Sequence, residues 1–305
     1  MKNNSWYLLL LFVMAACSDG NTVDTKDPVV IKITETDSVI PQETSAVQYA
    51  FNLNEPDKTW ELPKGLEEVS GNTWANGQLI LIEDERPVLY IIETIGDEMK
   101  VQKKISFAKV AGENIDIEEV TIAGEVIYAI SGDGRLFEIN DWKGSPQFRE
   151  LKTGLSKSNN TEGLCFDPET KKLLIACKDD SGLEDEKKST KVIYSYNPET
   201  EKTEGPFLKI EQDDLESFSG EKIKLNPSSI AVHPITKEIY VLSSKGSKCL
   251  VVLSREGAVR SVNFINDDLM HQPEGICFSD KGDMYLSSEG KKGNPGKLFL
   301  YSIKQ

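Results

Sequence analysis

Short apolar runs recur along the chain, each opened by one or two polar residues and followed by a turn and a second apolar run. The clearest pair is Glu162-Gly163-Leu164-Cys165-Phe166-Asp167 and Glu274-Gly275-Ile276-Cys277-Phe278-Ser279. Looser copies begin at Glu67-Glu68-Val69 and Glu118-Glu119-Val120, and Ser228-Ser229-Ile230-Ala231-Val232 carries a hydroxyl in place of the acid. The second runs are residues 79–82, 126–130, 173–176, 239–242 and 284–286. Runs this short, rich in β-branched residues and bounded by Pro, Asp, Asn and Gly, predict strands; no long helical period interrupts them.

Two intervals predict the complete unit. After Glu162 come apolar runs at 173–177, 192–196 and 207–210, separated by Asp167-Pro168-Glu169-Thr170, a charged loop and Asn197-Pro198-Glu199-Thr200. After Ser228 the same order returns through His233-Pro234-Ile235-Thr236 and Arg255-Glu256-Gly257. Four-stranded units whose starts lie roughly 45 to 65 residues apart match the blade period of a propeller. The expected fold is therefore all-β, a β-propeller of four-stranded blades. Five blades are favoured, or six if the long interval with residues 210–225 holds another strand pair. The last unit runs out of chain before its outer strand, so an N-terminal strand is expected to close the ring. The alternating segment at residues 47–53 is the candidate.

The amino terminus reads differently. Met1-Lys2, an apolar stretch at 6–13 and Met14-Ala15-Ala16-Cys17 have the anatomy of a secretory signal. The ending resembles a bacterial lipobox, which implies that Cys17 is the first mature residue and carries lipid; an ordinary signal peptide with an incidental cysteine is the alternative. Residues 1–17 are thus expected to be a lipoprotein signal peptide, 18–46 a polar flexible tether, and 47–305 the propeller. The expected location is the bacterial cell envelope, anchored by lipid to a membrane and facing periplasm or exterior.

A formal charge of −15 with a pI near 4.8 excludes nucleic acid as a natural partner and favours a cationic or small-molecule ligand. Cys165, Cys177, Cys249 and Cys277 could form two disulfides in an exported chain, but their apolar neighbours favour buried free thiols.

Pro273-Glu274-Gly275-Ile276-Cys277-Phe278, with Gly282-Asp283-Met284-Tyr285-Leu286-Ser287-Ser288-Glu289 behind it, resembles the SdiA-regulated family of exported bacterial β-propellers. The similarity extends from Leu62 to Tyr301 through Thr161-Glu162-Gly163-Leu164 and Asn226-Pro227-Ser228-Ser229. It implies a propeller and export, without an established reaction. Similar propellers, including calcium-dependent lactonases and phytases, bind calcium through acids at the inner-strand starts.

In a propeller those starts converge on one mouth of the axial channel. Glu67, Glu118, Glu162 and Glu274 are accordingly the candidate metal ligands, with Asp84, Asp133, Asp179, His271 and Glu289 as further candidates at the mouth. Oxygen donors without Cys or His suit calcium over softer metals. Two functions fit: a binding or scaffold module holding a cation at an acidic mouth, or a calcium-dependent hydrolase of phosphate esters or lactones with His271 as base.

Overall fold

Continuous apolar runs and alternating runs have separate places in the structure. The three inner strands of each blade are buried on both faces, while the outermost strand alternates exposed and covered positions, as in Glu98–Ser106 and Lys202–Ile210. The structure, a computed structural model, describes residues 51–303 apart from 96, 185 and 188. Cys17, the tether and residues 47–50 lie outside the described residues.

In chain order the strands are β1 (Lys58–Glu61), β2 (Val69–Ala75), β3 (Gln78–Glu83), β4 (Val88–Ile95), β5 (Glu98–Ser106), β6 (Ile117–Ala123), β7 (Val126–Ser131), β8 (Arg135–Asn140), β9 (Gln147–Lys152) and β10 (Thr161–Asp167). They continue with β11 (Lys172–Cys177), β12 (Lys191–Asn197), β13 (Lys202–Ile210), β14 (Pro227–Val232), β15 (Ile239–Ser243), β16 (Cys249–Leu253), β17 (Val259–Phe264), β18 (Gln272–Phe278), β19 (Met284–Glu289) and β20 (Lys297–Tyr301). All pairings are antiparallel and give five four-stranded sheets: β2–β5, β6–β9, β10–β13, β14–β17, and β18-β19-β20-β1. The innermost strands β2, β6, β10, β14 and β18 neighbour one another around the axis. The fold is a five-bladed β-propeller. Among the described residues no helix is long and apolar enough to cross a membrane.

The hydrophobic core is divided into five wedges, one per blade interface. Ile80 and Ile91 of the first blade meet Ile127 and Phe137 of the second; Leu174 and Ile193 of the third meet Val241 and Val251 of the fourth. Each blade buries both faces only because it has two neighbours, so the circle must close.

Closure does come from an N-terminal strand, and among the described residues that strand begins at Lys58, beyond the candidate segment. Phe51, Asn52 and Leu53 lie outside any strand; the closing strand is β1, with Lys58 opposite Leu300 and Glu61 opposite Lys297. Trp60 and Leu298 bury together against the first blade. Phe51 and Leu53 serve another end: both pack into the wedge between fourth and fifth blades, and the Leu53 carbonyl accepts a hydrogen bond from Tyr301 Oη at 2.9 Å.

The interval that left room for a sixth blade holds a helix. After the short helix α1 (Ala108–Ala111), α2 (Gln212–Ser219) is the second, and its buried Leu215 joins Ile223 and Leu225 in the third-to-fourth wedge. It stops at Gly220, whose φ of 75° is the left-handed conformation glycine adopts without strain. The cysteines Cys165, Cys177, Cys249 and Cys277 are buried and free.

A carboxylate ring at the channel mouth

All five innermost strands carry a register shift at their first turn of pairing. Val69 faces Glu83 but Gly71 faces Ile82; the same slip separates Ile117 from Glu119, Thr161 from Gly163, Pro227 from Ser229 and Pro273 from Gly275. The extra residue of each bulge is Ser70, Glu118, Glu162, Ser228 or Glu274. Bulges turn a side chain away from the alternating pattern, and here they place three glutamates and two serines at equivalent points around one mouth. The serines stitch blades: Ser70 Oγ donates to Ile117 O at 2.7 Å, and Ser228 Oγ to Pro273 O at 2.9 Å.

Glu118, Glu162 and Glu274 are therefore brought together, whereas Glu67 is not part of this set. It lies before β2, with Oε2 accepting from Gly65 N at 2.8 Å. Ser70 holds the position that sequence spacing assigns to Glu67.

The mouth contains its own cation. Lys178, at the end of β11, donates to Glu162 Oε1 at 2.7 Å, and both side chains are buried. Burial alone would lower the Lys178 pKa, but Glu162, with Glu274 and Glu118 behind it, outweighs burial and holds it above the usual value. Glu118 is pushed up to about 9, first by burial and then by Glu162 and Asp116. Burial, then Glu162, pushes Glu274 up to about 7. The remaining arc runs through Glu289, pushed up to about 8 by burial, Glu274 and Glu68, and Asp84, pushed up to about 6 by burial, Asp116 and Glu68. Gln272 Nε2 donates to Glu289 at 2.7 Å. At neutral pH the mouth thus limits its repulsion by keeping protons on some of its carboxyls.

The other candidate residues have different work. Asp133 accepts from Ser131 and pairs with Arg135 at 3.2 Å. Asp179 accepts from Asn160 Nδ2 at 3.0 Å. His271 is exposed and its carbonyl accepts from Lys248 Nζ, leaving its ring without a hydrogen bond among the described residues. The second histidine, His233, follows β14 and is buried against Tyr240 and Phe278, with Nδ1 accepting from Thr236 N at 3.1 Å; burial pushes its pKa down to about 4. Among the described residues no group of three or more His, Cys, Asp or Glu is gathered as a ready-made metal cage.

Directly below the ring sits a residue that spacing alone assigns no role. Gly71, Glu119, Gly163, Ser229 and Gly275 follow the five bulge residues, and only Glu119 has a long side chain. It is fully buried. Its Oε1 accepts from Asn72 N at 2.9 Å and from Val120 N at 3.0 Å, while Oε2 accepts from Ser229 Oγ across the channel. Ser229 Oγ in turn accepts from Ile276 N at 3.1 Å. One carboxyl thereby ties four blades. A Cβ on Gly71 would stand 2.1 Å from Glu119 Oε1, so the axis has room for this side chain only because its neighbour is glycine. Burial pushes the Glu119 pKa well above the usual carboxylate range.

Comparison with known proteins gives a fold likeness and a family. Glutaminyl cyclase from Myxococcus xanthus is similar at 15% identity with a TM-score of 0.56, over 81% of this chain and 95% of that one. The PQQ-bound aldose sugar dehydrogenase of Streptomyces coelicolor is similar at 13% identity and a TM-score of 0.50, over 84% and 99%. At such identities the likeness is one of architecture. No curated protein sequence matches. The SdiA-regulated family matches residues 61–292, which hold every bulge, the carboxylate ring and all five inner strands, and the chain belongs to that family.

Proposed function

We propose that the protein is a lipid-anchored binding module of the cell envelope whose acidic mouth takes a cationic ligand, with calcium as the ion to test first. One observation carries this reading: Glu118, Glu162 and Glu274 share a mouth with Glu289, Asp84 and Asp116, and the buried Lys178 offsets only part of their charge. A cation arriving there replaces protons held under repulsion, and binding to the folded state alone stabilises it by mass action. The spread of the carboxylates suits an ion held partly through water.

The test is melting in calcium, in magnesium and in chelator, for the wild type and a Glu118→Gln/Glu274→Gln variant. Glu162 is left intact because its removal would strand the Lys178 ammonium. Calcium should raise the wild-type Tm, and the variant should lose most of that rise while melting no earlier in chelator. Indifference of the wild type to both ions, or an undiminished shift in the variant, would refute cation binding at this mouth. The anchor has its own assay: Cys17→Ser should move the protein from the membrane fraction to the soluble one with its Tm unchanged. Continued membrane association would exclude the lipid.

A further inference from the structure

On the third blade, Ser158, the loop after β11 and the start of β12 line a cavity of about 490 Å³, a size usual for small-molecule sites. Lys191 is part of the lining and only 6% exposed. Its Nζ donates to Lys178 O, its one hydrogen bond among the described residues, and no carboxylate there forms an ion pair with it. An ammonium carries three N–H donors, so two remain to be met. Burial lowers the Lys191 pKa, and the nearby Asp179 opposes that fall only in part. A ligand that brings acceptor oxygens to such a group recovers part of what its burial costs.

Asp179 and Asp180 line the same cavity. Asp179 Oδ2 accepts from Asn160 Nδ2 at 3.0 Å and Asp180 Oδ1 from Gly182 N at 2.8 Å, and among the described residues the second oxygen of each carboxylate has no hydrogen bond. The loop that carries them is tied down: Asp179 N donates to Asn159 O at 3.1 Å, Asp180 N to Ser158 O at 3.0 Å and Tyr194 Oη to Ser181 O at 2.5 Å. Groups fixed in this way lose little freedom when a ligand arrives. Glu186 and Lys187, also in the lining, are paired with Lys209 and Asp213.

These charges select against ions of either sign. An anion would meet Asp179 and Asp180; a cation would meet Lys191, with the Lys178 and Lys224 charges close behind it. A hydroxyl suits both, because it accepts from an ammonium and donates to a carboxylate, and a ring with vicinal hydroxyls does so at neighbouring points. Leu183 adds apolar surface.

We propose that this cavity binds the ring of a neutral monosaccharide, its vicinal hydroxyls accepting from Lys191 and donating to Asp179 and Asp180, with a C–H face on Leu183. The site stands whether or not the acidic mouth takes a cation.

The methyl α-pyranosides of glucose, galactose and mannose are the probes. Tetrahydropyran, which has the ring without hydroxyls, and acetate are the controls, and binding to the purified protein is followed by saturation-transfer NMR and by titration. At least one pyranoside should bind about tenfold or more tighter than either control, the difference one hydrogen bond to a charged group makes. Lys191→Met keeps a long side chain without its donors and should weaken that sugar by about tenfold or more; Asp180→Ala, on the exposed loop, should do the same. The proposal falls if none of the three sugars binds, if tetrahydropyran or acetate binds as well as they do, or if Lys191→Met holds the sugar undiminished. Should Lys191→Met fail to fold, Asp180→Ala decides by the same comparison.

Discussion

Glu119 turns an acidic side chain into a structural bolt. Three donors from three blades point at one buried carboxyl, so its removal strands all three at once. Glu119→Ala should cost about 3 kcal/mol or more in urea unfolding, whereas Glu119→Gln, which keeps one acceptor and the shape, should cost about 1 kcal/mol. Equal losses would mean that the cavity, not the hydrogen bonds, sets the cost. The acidic character of the mouth was legible from residue types and spacing, and Glu118, Glu162, Glu274, Asp84 and Glu289 do belong to it. In the first blade two neighbouring acids, Glu67-Glu68, imitate Glu118-Glu119, with Glu67 three residues ahead of the true bulge residue, Ser70. The underlying signal was steric: a polar bulge residue followed by one small enough for the axis, as in Ser70-Gly71, Glu162-Gly163 and Glu274-Gly275. Lys178 gave no such signal, since it reaches Glu162 from the second strand of the blade, sixteen positions later in sequence.

At the level of elements, inner strands were easy to find and outer ones were not. β10, β11 and β12 are almost wholly buried and each carries an uninterrupted apolar stretch such as Leu173 to Cys177, but β9, with Gln147, Arg149, Glu150 and Lys152 facing solvent, has a nearly polar sequence. The closing strand suffered the same fate, because Lys58-Thr59-Trp60-Glu61 offers one buried side chain, while Phe51 and Leu53 alternate for the sake of an interblade wedge. Truncation shows which segment closes the ring. Removing residues 1–50 leaves β1 and should preserve the Tm; removing residues through Glu61 exposes the β20 edge and should cost solubility as well as stability. Size-exclusion chromatography of the two truncations distinguishes them, and a monomeric, stable product lacking β1 would contradict this account of closure.

For the whole molecule, the mouth makes stability depend on pH in the direction opposite to a protein dominated by surface ion pairs. Asp84, Glu274, Glu289 and Glu118 have pKa values of about 6, 7, 8 and 9 when folded, above ordinary carboxyls near 4. Between these limits the native state binds more protons than the unfolded one, so their contribution is complete below the unfolded pKa and is lost as pH rises through the folded values. In chelator, Tm should fall from about pH 5 to pH 9. Calcium should blunt the fall, bind more tightly at the higher pH and release protons on binding, which calorimetry in buffers of different ionisation enthalpy detects. A Tm that climbs across this range would mean that the ring is ionised without penalty.

Ring closure by β1 also has a mechanical side. Any tension reaching the propeller along the chain from its amino-terminal side falls first on Leu53 and Asp57, hydrogen-bonded to Tyr301, Leu300 and Ser302, and then on the four-residue ladder between β1 and β20. Those contacts are few, and losing them opens the circle that every wedge depends on. If Cys17 tethers the protein to a membrane, the latch and the leash are attached at the same place, and the blade that completes the ring is the one that would yield first under load.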